Sequence, residues 1–201
     1  MAMILASQSP RRRELLGQMG FSFTVRPAKG EELPHPELTP AQLVEELARQ
    51  KALEVSAGAD ADDVVVAADT VVAIDGVVLG KPRDKAHAAE MLSALSGREH
   101  TVYTGVAVKR GETLLVEHEA TQVRFRPLTE REIDLYIQTG EPMDKAGSYG
   151  IQGYGALLVE GIRGDYFNVV GLPICRLGRM LAQVGEDALA QCAQKCAEKE
   201  R

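Results

Sequence analysis

The most informative residues of this chain are charged side chains in positions where charge is costly. Three arginines stand together where a helix is predicted to begin, and single lysines and one aspartate interrupt apolar or glycine-rich segments. Taking a charge out of water is unfavourable unless a partner compensates it, so these positions are candidates for ligand contacts. They are Arg11, Arg12, Arg13, Lys51, Asp69, Lys81 and Lys145.

The arginine run at residues 11–13 follows a short apolar strand predicted over residues 3–6. Ser9 is the expected N-cap of the next helix, and Pro10 is its first residue. A helix N-terminus already carries partial positive charge, so three cations there are unfavourable unless an anion lies between them, and phosphate is the obvious candidate. A solvated basic turn, partly offset by Glu14, is the alternative.

The three arginines cannot all face one ligand, because consecutive helical positions point about 100° apart. We expect Arg12 to bind the substrate, Arg13 to give a second contact and Arg11 to be solvated. Ser7 and Ser9, in the turn before the helix, are further substrate-binding candidates.

Lys51 and Asp69 each interrupt an apolar pattern. A helix predicted over residues 39–57 begins with a capping box and carries Lys51 on its apolar face, unless the lysine stem simply reaches past that face to water. Asp69 lies in the β-branched, apolar run of residues 64–74, which is typical of a strand covered on both faces. A carboxylate there needs an ion pair or a metal ion, and a structural pair would serve as well as a functional one.

A predicted hairpin brings Lys81 towards Asp69. Asp75 and Gly76 form a two-residue turn signal, after which residues 77–79 return antiparallel. Strict alternation puts Asp69 on the opposite face from Lys81, unless the ladder ends before the lysine.

Residues 141–155, EPMDKAGSYGIQGYG, form a segment that we call the glycine loop. Few of its side chains can bury apolar area, whereas its glycines allow the backbone to approach a ligand closely. Lys145 is its charged candidate for a ligand contact.

Cations of this number around a carboxylate suit a polyphosphate, and the carboxylate can hold Mg²⁺ or take a proton from an attacking water. Neither a P-loop sequence nor a glycine-rich dinucleotide motif occurs at the start of a helix. Covalent catalysis by Ser7 or Ser9 is disfavoured for lack of a histidine base. The histidines, all expected in polar or exposed contexts, are His35, His87, His100 and His118.

Composition limits the partners and the compartment. The chain has 201 residues, 29 acidic and 23 basic side chains and a net charge of −6, which disfavours nucleic acid and anionic membranes. We find no apolar run of membrane-spanning length and no signal-peptide core, so a soluble cytoplasmic protein is expected. Cys175, Cys192 and Cys196 crowd the C-terminal end, which fits a reducing compartment. Cys192 and Cys196, four apart on a predicted tail helix, are only a weak metal signal, because no histidine or further cysteine lies near them in the sequence.

Capping and turn signals divide the chain into elements. We predict one catalytic domain over residues 1–184, and a charged tail over 185–201 that is an exposed helix or frayed. The predicted helices begin near residues 10, 40, 85, 130 and 173, and the predicted strands cover 3–6, 21–25, 64–74, 77–79, 101–109, 113–125, 156–162 and 166–170.

Several of these segments together resemble the Maf family, over residues 4 to about 181. The order and spacing of so many motifs make the resemblance specific. They are SQSPRR near the N-terminus, Glu31 and Glu32 in the following loop, Lys51, AADTVV at 67–72, GKP at 80–82, DKAGSYGIQGYG at 144–155 and GDYFNVVGLP at 164–173.

The resemblance implies an elongated α/β fold of the Maf/ITPase type, with two lobes about a central mixed β-sheet, an active-site cleft between them and usually a homodimer. It implies a nucleoside triphosphate pyrophosphatase that cleaves the α–β phosphoanhydride bond with a divalent cation, Mg²⁺, Mn²⁺ or Co²⁺. The Asp-Thr pair at residues 69–70 and IQG in the glycine loop are similar to the dTTP/UTP subgroup, which implies that modified pyrimidine nucleotides are also substrates and that non-standard nucleotides are removed.

Site roles also follow from the resemblance, by matching motif positions. Asp69 becomes the proton acceptor that activates water, and Glu32 and Asp69 become the metal ligands. Glu32, Lys51 and Lys81 form the essential polar set around the triphosphate and the metal. The residues tied to substrate choice are Arg12, Thr70 and Gln152.

Two other functions remain open. Maf-like proteins are also linked to inhibition of septum formation and cell division, so a non-catalytic regulator is one alternative; the complete polar set counts against it. A purine-directed enzyme like the inosine triphosphate pyrophosphatases is the other, and Thr70 and Gln152 argue mildly against it.

Overall fold

The computed structural model describes residues 2–30 and 35–199. Strands and helices alternate through most of this part of the chain. In order they are β1 (Met3–Leu5), α1 (Pro10–Gln18), β2 (Phe23–Val25), α2 (Pro40–Ser56), β3 (Val64–Ile74), β4 (Val77–Leu79), α3 (Lys85–Leu95), β5 (Glu99–Arg110), β6 (Thr113–Phe125), α4 (Glu130–Gln138), β7 (Val159–Arg163), α5 (Tyr166–Val170), α6 (Ile174–Gln183) and α7 (Ala188–Lys199).

One mixed sheet forms the centre of the molecule. Its strand order is β2-β1-β3-β5-β6-β7, with β4 paired to β3 beside this path. Strand β1 runs parallel to β2 and β3, and the other pairs are antiparallel. The expected α/β fold with a central mixed sheet is therefore confirmed.

Local signals set several element boundaries as the sequence predicts. Ser9 caps α1 by accepting the Arg12 backbone N–H, and Gly20, at φ 80°, follows its last turn. The β3–β4 turn has φ of 52° at Asp75 and 78° at Gly76, as a type I′ turn requires. The capping box of α2 forms through Thr39.

Strand β3 is long enough to pair with two short strands along one edge. Its residues 64–66 pair with β1 and its residues 72–74 pair with β4, while β5 runs along the opposite edge. Between these two ladders, among the residues described, no strand covers β3 at residues 67–71. The gap opens the sheet at the position of the Asp-Thr pair.

Apolar side chains cover both faces of the sheet. On one face α2 contributes Ala48 and Ala52 to a cluster that also includes Ala107 of β5. On the other face two separate clusters occupy the two halves of β3, one with α1 and α6 around Val66, the other with α3 and α4 around Val72. The Asp-Thr pair lies between these two halves.

In the C-terminal part of the chain, one segment differs from the sequence prediction and another takes one of the two predicted forms. Residues 166–170, predicted as a strand, form helix α5, because Asp165 caps it and the buried Asn168 amide donates hydrogen bonds to Val102 O and Thr121 Oγ1. The tail forms helix α7, and the Cys192 thiol donates a hydrogen bond to Met19 O. The division into a catalytic domain and a tail stays a prediction.

Within the described ranges, none of the helices combines the length and the apolar character that crossing a bilayer requires.

Candidate functional site

The site is a cleft of about 960 Å³ at the open edge of β3. Asp69 and Thr70 are the two β3 positions that are not fully buried, and as neighbours on a strand they face opposite sides of the sheet. Because the edge is open there, both can line the same cleft. The other predicted contacts that line it are Ser7, Ser9, Arg12, Lys51, Lys81, Lys145 and Gln152.

Lys51 and Asp69 form an ion pair, with Nζ and Oδ1 2.5 Å apart. Lys51 extends from the apolar face of α2, so its charge is compensated inside the cleft as well as by solvent. Helix α2 can lie this close to the sheet because residue 105, paired with Asp69 on β5, is glycine. A Cβ at Gly105 would lie 2.1 Å from the carbonyl oxygen of Val44 in α2.

Arg12 is held by acceptors from three parts of the chain. Its Nε donates to the carbonyl of Gly171 at 2.7 Å, Nη1 to Ser7 Oγ at 3.1 Å and Nη2 to Thr70 Oγ1 at 2.8 Å. The guanidinium fork therefore joins the turn before α1, the centre of β3 and the end of α5. Such a geometry is available to arginine and not to lysine.

The other two arginines of the run point elsewhere. Arg11 lines the cleft and lies 3.5 Å from Asp144 of the glycine loop. Arg13 is exposed and is not among the residues that line the cleft. The structure therefore brings Arg11 rather than Arg13 beside Arg12, and the substrate contact of Arg13 stays a prediction.

Behind Thr70 a row of buried hydroxyl groups continues into the protein. Thr70 Oγ1 and Thr104 Oγ1 are 2.9 Å apart, and Thr104 Oγ1 donates to the carbonyl of Asn168 at 3.0 Å. Thr104 and Asn168 are 0% exposed. This polar row separates the two apolar clusters on that face of the sheet.

Lys81 reaches the cleft after the hairpin. The β3–β4 ladder ends at the pair of Val72 and Leu79, so strict alternation no longer fixes the direction of Lys81. The side chain is exposed on the cleft wall. The carbonyl of Gly80 accepts the Gly147 N–H, which ties the hairpin to the glycine loop.

Glu141 organises the glycine loop. Its carboxylate accepts the backbone N–H groups of Tyr154 at 2.8 Å and Gly155 at 3.0 Å, and the hydroxyl of Tyr136 at 2.9 Å. Burial alone would raise the pKa of Glu141, but these donors outweigh it and lower the pKa below its usual value. Gln152 lies on the segment that these bonds constrain.

Lys145 is fixed within the same loop. Its Nζ donates to the carbonyl of Glu141 at 2.6 Å and to Asp144 Oδ1 at 2.7 Å, and its stem passes over Gly150. Asp144 thus lies between two cations, Lys145 and Arg11. These contacts connect the glycine loop to the start of α1 across the cleft.

One histidine is not where the sequence predicts. His100 is only 2% exposed, and its ring packs edge-on against Phe125 and Tyr149. Its Nε2 lies 2.8 Å from the hydroxyl of Tyr149, and burial lowers the His100 pKa to about 4. The expectation of a polar or exposed context is wrong for His100, because β5 turns this residue towards the apolar cluster around Val72.

Two further predictions concern metal ligands. Glu32, predicted as a metal ligand and as part of the essential polar set, lies outside the described residues. Within the described ranges, His, Cys, Asp and Glu side chains nowhere come together in groups of three or more that could hold a metal ion. Asp69 is the predicted ligand that lines the cleft.

Comparison with known proteins agrees with the motif arrangement. A family described as Maf-like protein matches residues 2–184. The chain belongs to the Maf family.

Two Maf relatives show how close the similarity is. A protein from Moorella thermoacetica named dTTP/UTP pyrophosphatase is 55% identical over 188 residues, which cover 92% of this chain and 96% of the relative. A protein of the same name from Bacillus pumilus is 53% identical, covering 91% and 96% respectively. A solved structure of a HAM1 protein from Coxiella burnetii has the same overall fold, with a TM-score of 0.51, 15% identity and coverage of 91% of this chain and 100% of that one.

Several residues that line or support this cleft have no role in the sequence prediction. Arg11 belongs to the arginine run but is expected there to be solvated, whereas it lines the cleft. Glu141 lies inside the glycine loop, and its position directly after the helix stop at Gly140 was a usable signal. Thr104 and Gly105 carry no local signal, because a threonine or a glycine in a long strand acquires its role only from what packs on it.

Proposed function

We propose that this protein hydrolyses dTTP and UTP, together with modified pyrimidine nucleotides, to the nucleoside monophosphate and pyrophosphate, and so removes non-standard nucleotides. The observation that carries the proposal is the Asp69 carboxylate, ion-paired with Lys51 in a cleft that also carries Arg12 and Lys81. A cleft of about 960 Å³ is large enough for a nucleotide. The relatives named dTTP/UTP pyrophosphatase support the substrates.

In this proposal Asp69 acts on the attacking water. Its carboxylate takes a proton as the water oxygen bonds to the α-phosphorus, and the α–β P–O bond breaks with its electron pair leaving on pyrophosphate. Lys51 holds the carboxylate in position and balances its charge. Lys81 and Lys145 stabilise the negative charge that develops on the leaving pyrophosphate.

A divalent cation, Mg²⁺, Mn²⁺ or Co²⁺, fits this donor set. Magnesium is usually held by one or two carboxylates together with substrate phosphates, rather than by an all-protein cage. Asp69 offers a carboxylate on the cleft wall, and we assign Glu32 as its companion from the Maf motif. When bound, the cation would polarise the phosphate oxygens and orient the triphosphate.

Substrate binding is assigned to both walls of the cleft. Arg12 and Thr70 meet at a hydrogen bond of 2.8 Å and, with Gln152 of the glycine loop, are the proposed determinants of base choice. Ser7, Ser9 and Arg13 are proposed as further contacts near the start of α1. The protein is also proposed to be cytoplasmic. It is proposed to form a homodimer, and light scattering would test this oligomeric state.

The test is a panel of dTTP, UTP, CTP, ATP and GTP with each of the three cations, with the products separated by anion exchange. We expect nucleoside monophosphate and pyrophosphate from dTTP and UTP. Orthophosphate as the first product would contradict the bond assignment. Absence of turnover on every substrate would favour a non-catalytic regulator.

The role of Asp69 needs a separate comparison. We expect Asp69→Asn to remove activity, whereas Asp134→Asn, an exposed position on α4, should leave it unchanged. Residual activity of Asp69→Asn that kept its acidic pH limb and lost only metal affinity would show a ligand and not a base.

A further inference from the structure

The Thr70 hydroxyl has a defined hydrogen-bond direction. In the 2.9 Å hydrogen bond between Thr70 Oγ1 and Thr104 Oγ1, taken alone, either hydroxyl could be the donor. Thr104 has one hydroxyl hydrogen, and the carbonyl oxygen of Asn168 lies 3.0 Å from its Oγ1 as an obligate acceptor. Thr104 therefore donates to Asn168, and Thr70 donates to Thr104.

The end of this row is rigid. The Asn168 side-chain amide donates to Val102 O at 3.0 Å and to Thr121 Oγ1 at 2.9 Å, which anchors α5 to β5 and β6. Thr104, Thr121 and Asn168 are all 0% exposed. Reversing the row would set the Thr104 oxygen against a carbonyl oxygen with no hydrogen between them, in a place where water cannot compensate.

The direction limits what Thr70 can offer a ligand. Its hydrogen is committed to Thr104 and one of its two acceptor positions takes the Arg12 N–H at 2.8 Å. One acceptor position remains, on a side chain that lines the cleft. Towards a nucleotide Thr70 is therefore an acceptor and not a donor.

Pyrimidine bases differ at the atom that would meet such an acceptor. Uracil and thymine carry a hydrogen on N3, whereas N3 of cytosine has a lone pair. We propose that Thr104 and Asn168 are positioning residues that hold the Thr70 hydroxyl as an acceptor for the base N3–H, so that uracil and thymine nucleotides are preferred over cytosine nucleotides. The inference rests on the proposed function for the contact between Thr70 and the base.

The test compares base preference in variants of Thr104. Thr104→Val keeps the shape and removes the hydroxyl, so the Thr70 hydrogen can turn into the cleft and donate to cytosine N3. Thr104→Ser keeps the row, and Thr104→Ala removes the hydroxyl with less crowding if the valine variant does not fold. Thr101→Val, on the same strand, is the matched control.

Two readouts are measured for each variant: the dissociation constants of UMP and CMP by titration calorimetry, and kcat/KM for UTP and CTP. We expect the uridine-to-cytidine preference to fall about tenfold in Thr104→Val and Thr104→Ala, the value of one hydrogen bond, and to persist in Thr104→Ser and Thr101→Val. A merely structural defect would weaken the binding of UMP and CMP to the same extent.

The outcomes separate the two proposals. Equal binding of UMP and CMP by the unaltered protein, an unchanged preference in both hydroxyl-free variants, or an equal loss in Thr104→Ser would overturn the inference. Discriminating binding of UMP that responds to Thr104→Val supports it even if UTP is not hydrolysed. In that case only the proposed function fails.

Discussion

Acidification should destabilise this protein through His100. Burial lowers the pKa of this histidine from 6.5 to about 4, so the unfolded chain binds the proton at a higher pH than the folded protein does. The contribution of the neutral His100 to the free energy of unfolding is therefore fully present above about pH 6.5 and is lost as the pH falls towards 4. The imidazolium would need an acceptor for both nitrogens, and Nδ1 is buried without a hydrogen-bond partner among the described residues.

The magnitude follows from the two pKa values. Linkage gives a loss of about 2 kcal/mol between pH 7 and pH 5, approaching about 3 kcal/mol below pH 4. We would measure urea unfolding at several pH values between 7 and 4.5 for the native chain and for His100→Gln, whose amide can still bond to Tyr149 but does not titrate. Other groups contribute equally to both proteins, so the difference between the two pH curves isolates His100.

The variant should be less stable at pH 7, because a ring packed against Phe125 and Tyr149 is lost, but its stability should depend less on pH. The reasoning is refuted if both proteins lose the same free energy of unfolding between pH 7 and pH 5. Because Tyr149 also lines the cleft, the same titration should lower activity in parallel with stability.

Three further predictions concern the support of the site. Glu141→Gln removes the charged acceptor that fixes the glycine loop and should lower kcat/KM about tenfold, the value of one lost hydrogen bond, with exposed Glu112→Gln as an unaffected control in the same assay. Gly105→Ala places a Cβ 2.1 Å from the backbone of α2 and should cost more than about 2 kcal/mol in urea unfolding, whereas Gly161→Ala, with open space around it, should cost less; equal losses would contradict the close approach. Arg12→Lys keeps the charge but loses the three-way fork, so kcat/KM for UTP should fall by more than about twofold. A value within twofold of the native one would show that the fork geometry is not needed.

Local chemistry made much of the fold predictable. Ser9 with Pro10 begins α1, and Asp75 with Gly76 turns β3 into β4, because caps and tight turns depend on a few neighbouring residues. The strand predicted over residues 166–170 is wrong because their structure depends on distant residues instead of neighbouring ones. Their β-branched and aromatic side chains favour a strand, but the buried hydrogen bonds of Asn168 to two other strands hold them in a helix.

The candidate site divides in the same way. Charges that are costly to bury identified Lys51, Asp69 and Arg12 without knowledge of the fold, since an uncompensated charge is improbable whatever surrounds it. For the other two arginines the sequence predicts a second contact from Arg13 and solvation of Arg11, whereas it is Arg11 that lines the cleft. The direction of such a side chain depends on what stands opposite, which the sequence does not show. For Arg11 the group that stands opposite is Asp144, 133 residues away in the sequence.

The sequence by itself determined the inventory of chemical groups, the helix caps and turns, and the Maf motifs. Only the tertiary structure decided that β3 has an open edge where Asp69 and Thr70 share one cleft, and that the Thr70 hydroxyl points into the protein. Those contacts join residues 34 and 64 positions apart. The physical reason is that strand register and the packing of α5 on the sheet set the direction of a hydroxyl hydrogen, and neither is a property of neighbouring residues.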